Sequence, residues 1–178
     1  AFHRNRLRRN QTLVLQKPVM FRRSVEDNVK FGLRQSNSSI DSKDRFKKLL
    51  ELCQIAHLID RPARNVSVGE QQRIALARAL ALDPEIIYLD EPTSSLDPVS
   101  VQIIEEVIKA ENAGGRKVIL VTHNVEQAKR LASDVIFIHR GRVLEHQIAE
   151  RFFQEPQSEV ARAFITGVAR PIEEGVLG

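Results

Sequence analysis

The chain has 178 residues, 42% of them apolar and 28% charged, with a formal net charge of +4, a balance that excludes an intrinsically disordered chain and leaves room for one domain with a real core. Its single cysteine, Cys53, excludes an internal disulfide and suits a reducing cytoplasm. No apolar run approaches the roughly 18 residues needed to cross a bilayer, and the start is too rich in arginine and too poor in apolar residues for a secretion signal.

Arg4, Arg6, Arg8 and Arg9 crowd the beginning of the chain. They read as a solvated terminus or as a contact to nucleic acid or lipid headgroups. Thr12 to Leu15 is a short apolar run ending at "QKP", which predicts a buried strand opening into a loop. From Ser24 to Leu82 the pattern is helical. "SKDRFKKLLELCQIA" puts Phe46, Leu49, Leu50 and Cys53 on one face with lysines opposite. "NVSVGEQQRIALARAL" then continues a helical face through Ile74, Ala77 and Leu80.

After Asp83-Pro84 the rhythm changes to strand, helix, strand, helix. "EIIYLD" and "KVILVTH" read as buried strands, and "PVSVQIIEEVIKAENAGG" as a helix with Pro98 at its first position and Gly114 beyond its end. "NVEQAKRLAS" is a second helix, and "DVIFIHRGRVLEH" reads as two strands around a turn at Arg140 to Arg142. Such alternation predicts a parallel sheet with helices on its faces. Amphipathic helices follow from Ile148, with a loose end after Pro171.

In open α/β sheets ligands bind beyond the carboxyl ends of the strands. After "IIYL" come Asp90 and Glu91: an aspartate there can hold Mg2+ through water and an adjacent glutamate can orient or deprotonate water, or both are solvated loop carboxylates. Asp97 before Pro98 has the form of an N-cap. His123 follows "VILVT" and precedes Asn124, a cap for the next helix with Gln127 as its capping-box partner. Gln16 ends the first strand, where its amide can reach a metal or water. The entrance of "VSVGEQQR" offers the Ser67 hydroxyl and the amides around Gly69 to an anion, or Ser67 is an ordinary N-cap answered by Glu70 three residues on.

Taken in chain order, these residues resemble the ATPase subunit of ATP-binding cassette (ABC) transporters. Gln16 in "LVLQKPVMF" is similar to the Q-loop, "VSVGEQQR" to the signature motif, "IIYLDEP" to the Walker B strand, "SSLD" to the D-loop, and His123 in "VTHN" to the switch histidine. The resemblance covers Thr12 to Gly167. It implies an α/β P-loop NTPase core with a mostly parallel sheet and an α-helical subdomain: a partial ATPase domain over 1–167, helical over about 24–82 and sheet core over 83–147, then a tail over 168–178.

The resemblance also implies ATP and Mg2+ as ligands, a second ATPase subunit in a head-to-tail dimer, and transmembrane permease subunits that hold the chain on the inner face of the cell membrane. No nucleic acid is expected. Ser67, Gly69 and Glu70 would meet the γ-phosphate of ATP held mainly by the partner. Asp90 would hold Mg2+ through water, with Gln16 close to the metal; Glu91 would be the general base and His123 would contact the γ-phosphate. Gln16 would couple nucleotide state to the permease, and Asp97 would bridge the two subunits. The stretches "QKPVMFRRSVEDNV" and "VTHNVEQAKRLASDV" are most similar to subunits importing inorganic anions such as phosphate or tungstate.

Two departures from the family pattern stand out. Val68 occupies a position where the family usually has glycine. The phosphate-cradling G-x-x-x-x-G-K-[ST] is absent, since none of the eight glycines precedes a lysine. The chain therefore reads as the C-terminal portion of a cassette lacking its first strands, unable to hydrolyse ATP alone and left with an exposed sheet edge. The alternatives are a non-hydrolysing half-site partner that lends its signature motif to an intact subunit, and a DNA-repair-type relative suggested by the N-terminal arginines.

Overall fold

The computed structural model describes residues 10–36 and 42–167; Arg4, Arg6, Arg8, Arg9 and the tail after Pro171 lie outside the described residues. The chain divides into two compact units, 1–123 and 124–178.

The first unit runs β1 (Gln11–Val14), α1 (Val25–Gln35), α2 (Ser42–Leu52), a 3-10 turn at Ala56–Leu58, α3 (Val68–Ala81), β2 (Ile86–Asp90), α4 (Pro98–Ala113) and β3 (Lys117–Val121). The strands form one parallel sheet in the order β1-β2-β3, with Val14 opposite Leu89 and Leu89 opposite Leu120. Parallel neighbours need crossovers, and these are α1 to α3 for the first pair and α4 for the second. Central β2 buries Ile87 and Leu89, and α4 covers the sheet with Ile103, Ile104, Val107 and Ile108.

Helix α3 is buried nearly all round. Besides Ile74, Ala77 and Leu80 it buries Ala75, Leu76, Ala79 and Ala81, together with the polar Gln72 and Arg73, the signature of a central helix rather than a surface one. Its small residues let α1 approach closely: Gly32 lies against the Arg78 carbonyl and the Ala81 methyl. Arg78 bridges the pair, donating to Asn28 Oδ1 at 3.1 Å and to the Val19 carbonyl at 2.8 Å, with its guanidinium 4.8 Å from the Phe21 ring centre.

Two boundaries differ from the sequence reading. The first strand ends at Val14 rather than Leu15, because the Leu15 carbonyl leaves the ladder to accept from Gln72 Nε2 at 3.2 Å. Helix α2 stops at Leu52 instead of continuing through "CQIA". Gln54 turns left-handed at φ 51, the Ile55 amide donates back to the Leu50 carbonyl, and Arg73 Nη1 donates to the carbonyls of Cys53 and Gln54. A buried cation thus ends the helix from outside it, alongside the left-handed turn that commonly does so.

The second unit comprises α5 (Val125–Leu131), β4 (Asp134–His139), β5 (Arg142–Ile148), α6 (Ala149–Gln154) and α7 (Glu159–Thr166). Here the two strands expected around a turn at Arg140 to Arg142 form an antiparallel hairpin, β4 with β5. Arg140 and Gly141, at φ 47 and φ 74, make the tight turn whose twist suits a two-residue hairpin. Phe137 on one face packs on Phe152 and Phe164. Buried Glu145 accepts from Gln147 Nε2 and from the Gln157 and Ser158 amides at 2.8, 3.0 and 2.7 Å, and from the Ser158 hydroxyl. That carboxylate pins the start of α7 to β5.

Candidate functional site

The carboxyl ends of the three parallel strands carry the polar residues singled out in the sequence. Asp90 is the last residue of β2. Glu91 follows at φ 45, a left-handed conformation that costs a non-glycine residue about 1–3 kcal/mol and clusters at functional sites. It is held there because its amide donates to the Val121 carbonyl of β3 at 2.9 Å. The turn aims its carboxylate at the next strand end, where Oε1 accepts from the His123 amide at 2.8 Å and meets His123 Nδ1 at 2.6 Å. An ionised carboxylate only accepts, so this contact is a hydrogen bond in the imidazole tautomer that carries its hydrogen on Nδ1. The His123 side chain is 75% exposed and that of Glu91 18%, so the pair sits at the rim, with the imidazole presented outward.

Gln16, beyond β1, donates through Nε2 to Ser94 Oγ at 3.2 Å, and the Ser94 amide donates to the Glu91 carbonyl at 3.1 Å. The loop from Glu91 to Asp97 therefore joins all three strand ends. Asp97 is an N-cap: its Oδ1 accepts from the Ser100 amide at 2.9 Å, and these bonds hold its carboxyl below the usual aspartate range.

At the entrance of α3, Ser67 and Glu70 form the full capping box. Ser67 Oγ accepts from the Glu70 amide at 3.2 Å and Glu70 Oε2 accepts from the Ser67 amide at 2.7 Å. Burial pushes the Glu70 carboxyl up, but the bonds from Ser67, with help from Arg73 and His57, bring it below its ordinary value. Val68 is the first helical residue and 63% exposed. It is not among the left-handed residues of the chain, so a β-branched side chain fits this backbone. Gly69, in contrast, is buried against Ser100 and Asp97.

Oxygen donors at the strand tips suit Mg2+, which usually takes one or two carboxylates and completes its shell with water and phosphate. Among the described residues no group of three or more His, Cys, Asp and Glu side chains could hold a metal alone. Asp90 thus fits a nucleotide-borne Mg2+ rather than a protein cage. A groove of about 180 Å3 lies elsewhere, between β1, α1 and α3, lined by Leu13, Leu15, Val19, Phe31 and Arg78 among others.

Three polar residues were not singled out in the sequence. Ser94 receives Gln16, Gln72 ties α3 to the end of β1, and Ser100 packs against Gly69 while its amide donates to Asp97. Gln72 left no trace of its own, standing in the polar "EQQR" before the apolar run; Ser94 opens "SSLD" and Ser100 lies three residues beyond it, with nothing further to mark either.

Comparison with known proteins agrees with this geometry. Residues 2–94 match the family described as ABC transporter. The chain is 36% identical over 169 residues to the phosphate import ATP-binding protein PstB of Campylobacter jejuni, a match covering 90% of this chain and 68% of that protein. It is 40% identical over 167 residues to the putative ABC transporter ATP-binding protein YjkB of Bacillus subtilis, covering 93% and 66%. Among solved structures, cbiO1 from Clostridium perfringens, part of the ABC transporter complex cbiONQ, superposes with a TM-score of 0.74 at 30% identity, over 85% of this chain and 62% of that one. The chain therefore spans about two thirds of the length of these relatives. With motif order, strand-end geometry and similarity in agreement, the chain belongs to the ABC transporter family of ATP-binding subunits.

Proposed function

We propose that this chain is the part of a transport ATPase that supplies the catalytic carboxylates and the signature motif, and that the complete protein hydrolyses ATP to drive import of an inorganic anion. The observation that carries this reading is the Glu91–His123 pair at the carboxyl end of a parallel sheet, beside Asp90 and joined to Gln16 through Ser94. In this reading Asp90 holds Mg2+ through water, with Gln16 nearby. Glu91 takes the proton of an attacking water, and the His123 ring, fixed by its Nδ1 contact, turns Nε2 toward the γ-phosphate. Mg2+ and the nucleotide supply charge neutralisation and the transferred phosphoryl group.

Ser67, Gly69 and Glu70 form the half-site offered to a second ATPase subunit in a head-to-tail dimer, and Asp97 lies at that junction. The main grip on the β- and γ-phosphates is assigned to a G-x-x-x-x-G-K-[ST] segment that these 178 residues do not contain. Phosphate is the favoured cargo, on the strength of the similarity to a phosphate import protein. Exposed Leu13, Leu15, Val19 and Phe31 on the groove support a face offered to a transmembrane permease subunit, and in this reading the chain sits on the inner surface of the membrane. No helix among the described residues is long and apolar enough to cross it.

The test uses the complete cassette. Glu91→Gln should retain ATP binding and lose turnover by about 10²–10⁴-fold, the usual contribution of a general base. Near-normal turnover would remove Glu91 from that role. A second reading rests on the exposed entrance of α3 at Ser67 and Val68: a non-hydrolysing partner that lends α3 to an intact subunit. It predicts no ATPase in this chain with or without a phosphate-loop segment supplied in cis, but stimulation of a complete partner.

A further inference from the structure

We propose that Ser100 is a positioning residue that locks the signature turn and the Asp97 turn of the same chain into one body. Gly69, the second residue of α3, is buried, and a methyl group built on it would overlap Ser100 Oγ and lie 2.8 Å from Ser100 Cβ and 3.0 Å from Asp97 Oδ2. A hydroxyl can rotate away. The Cβ cannot move without the backbone of α4, so the glycine is what lets the two helix entrances touch. Ser100 is only 4% exposed, and its amide is the donor that fixes Asp97 Oδ1 at 2.9 Å. One residue therefore meets the signature glycine on one side and the D-loop carboxylate on the other.

The charges make the same arrangement intelligible. Two helix N-termini side by side bring together two positive dipole ends, which repel unless anions stand between or beside them. Asp97 and Glu70 supply one carboxylate to each entrance. From Asp97 the contact runs on through the loop: the Leu96 amide donates to the Thr93 carbonyl at 3.3 Å and the Ser94 amide to that of Glu91 at 3.1 Å, while Ser94 Oγ holds Gln16. A displacement of α3 at Ser67 to Gly69 is thus passed to the loop that carries Glu91. On the function proposed above, the phosphate at Ser67 belongs to the partner's ATP while Glu91 serves the chain's own, so Ser100 joins the two nucleotide sites from within one subunit.

Hydrogen exchange read by mass spectrometry on the chain itself, without nucleotide, tests the coupling separately from the ATPase reading. Gly69→Ala should accelerate amide exchange about tenfold in both 67–72 and 94–101, leaving the β4–β5 hairpin unchanged, as expected for one cooperative local unit. The double variant Gly69→Ala with Ser100→Gly should bring both segments back to within about threefold of the wild type, because removing the serine side chain vacates the space. Acceleration confined to 67–72, or no recovery in the double variant, overturns the proposal. Should Gly69→Ala fail to fold, Ser100→Gly alone decides: faster exchange at 67–72, on the other helix, supports the coupling, and unchanged exchange there refutes it.

Discussion

Replacing Gly32 by alanine sets two effects of known sign against each other. In an exposed helix the change gains about 1 kcal/mol of helix propensity. Here the new methyl would overlap the Arg78 carbonyl oxygen and stand 2.8 Å from the Ala81 methyl. One of those neighbours is backbone, so the contact is relieved only by parting α1 from α3, an overpacking cost of about 1–3 kcal/mol. Parting them also stretches the 3.1 Å bond from Arg78 to Asn28, worth about 1 kcal/mol more. The costs outweigh the gain, and Gly32→Ala should destabilise by about 1–3 kcal/mol, lowering the melting temperature by roughly 2–12 °C for a chain of this size. Thermal unfolding followed by circular dichroism reads this directly. An unchanged or raised melting temperature would show that α1 and α3 are not in backbone contact at Gly32, and the groove they form with β1 would have to be redrawn.

Glu145 makes stability sensitive to acid. Burial pushes its carboxyl up, yet the bonds from Ser158, Gln157 and Gln147 outweigh burial and hold it below the ordinary glutamate value. Its contribution is therefore complete above the unfolded value of about 4.3 and is lost as pH falls through the folded one. Melting temperature should drop below about pH 4.5, and Glu145→Gln should flatten that acid limb while lowering stability at neutral pH; an unchanged limb would remove Glu145 from it. Cys53 is fully buried, and burial, with Glu111 adding and Arg73 opposing, pushes its thiol up to about 12. A maleimide at pH 7 should leave it unmodified until the protein is unfolded, and stoichiometric labelling of the native chain would contradict its burial. Ser67→Ala removes the hydroxyl that receives the Glu70 amide and should cost about 1 kcal/mol, seen as a lower urea midpoint; no change would mean the cap contributes nothing to α3.

Much of this arrangement was legible because it is local. The apolar runs of β2 and β3 are short, continuous and bounded by turn residues, so their place as parallel strands followed from pattern alone, although β3 is half-buried at its middle and exposed at its ends rather than buried. Asp97 before Pro98, and Ser67 three residues before Glu70, announce helix starts by residue type, and both caps are made. What pattern did not reveal depends on residues far apart in the chain. Arg73 ends α2 from another helix. The meeting of Glu91 with His123 joins positions 32 residues apart, and no spacing rule predicts it; their places after two apolar strands brought both residues forward, and the pairing of those strands as neighbours put them together. Ser100 was invisible for the same reason, since its importance comes from a missing side chain on a different helix. At Val68, where the family usually has glycine, the structure shows why valine is accommodated: it is the first helical residue, with no left-handed backbone.

The sheet itself carries a final consequence. Strands of a parallel sheet are ordinarily covered on both faces, and β2, between its neighbours, at least leaves no residue exposed, with Ile87 and Leu89 buried and Ile86 and Tyr88 half-buried. β3 differs: among the described residues it pairs only with β2, its middle residues are half-buried, and Val121 is 53% exposed. An apolar edge strand of this kind offers a row of backbone donors and acceptors to any extended segment, including that of a second copy. The chain by itself should therefore self-associate as its concentration rises, with sedimentation velocity showing species larger than the monomer in the tens of micromolar range. Val121→Lys places a charge on that edge, the device by which natural edge strands resist pairing, and should shift the distribution back toward monomer. A wild-type chain that stays monomeric at those concentrations, or a Val121→Lys chain that associates equally well, would mean that the edge of β3 is not the adhesive surface.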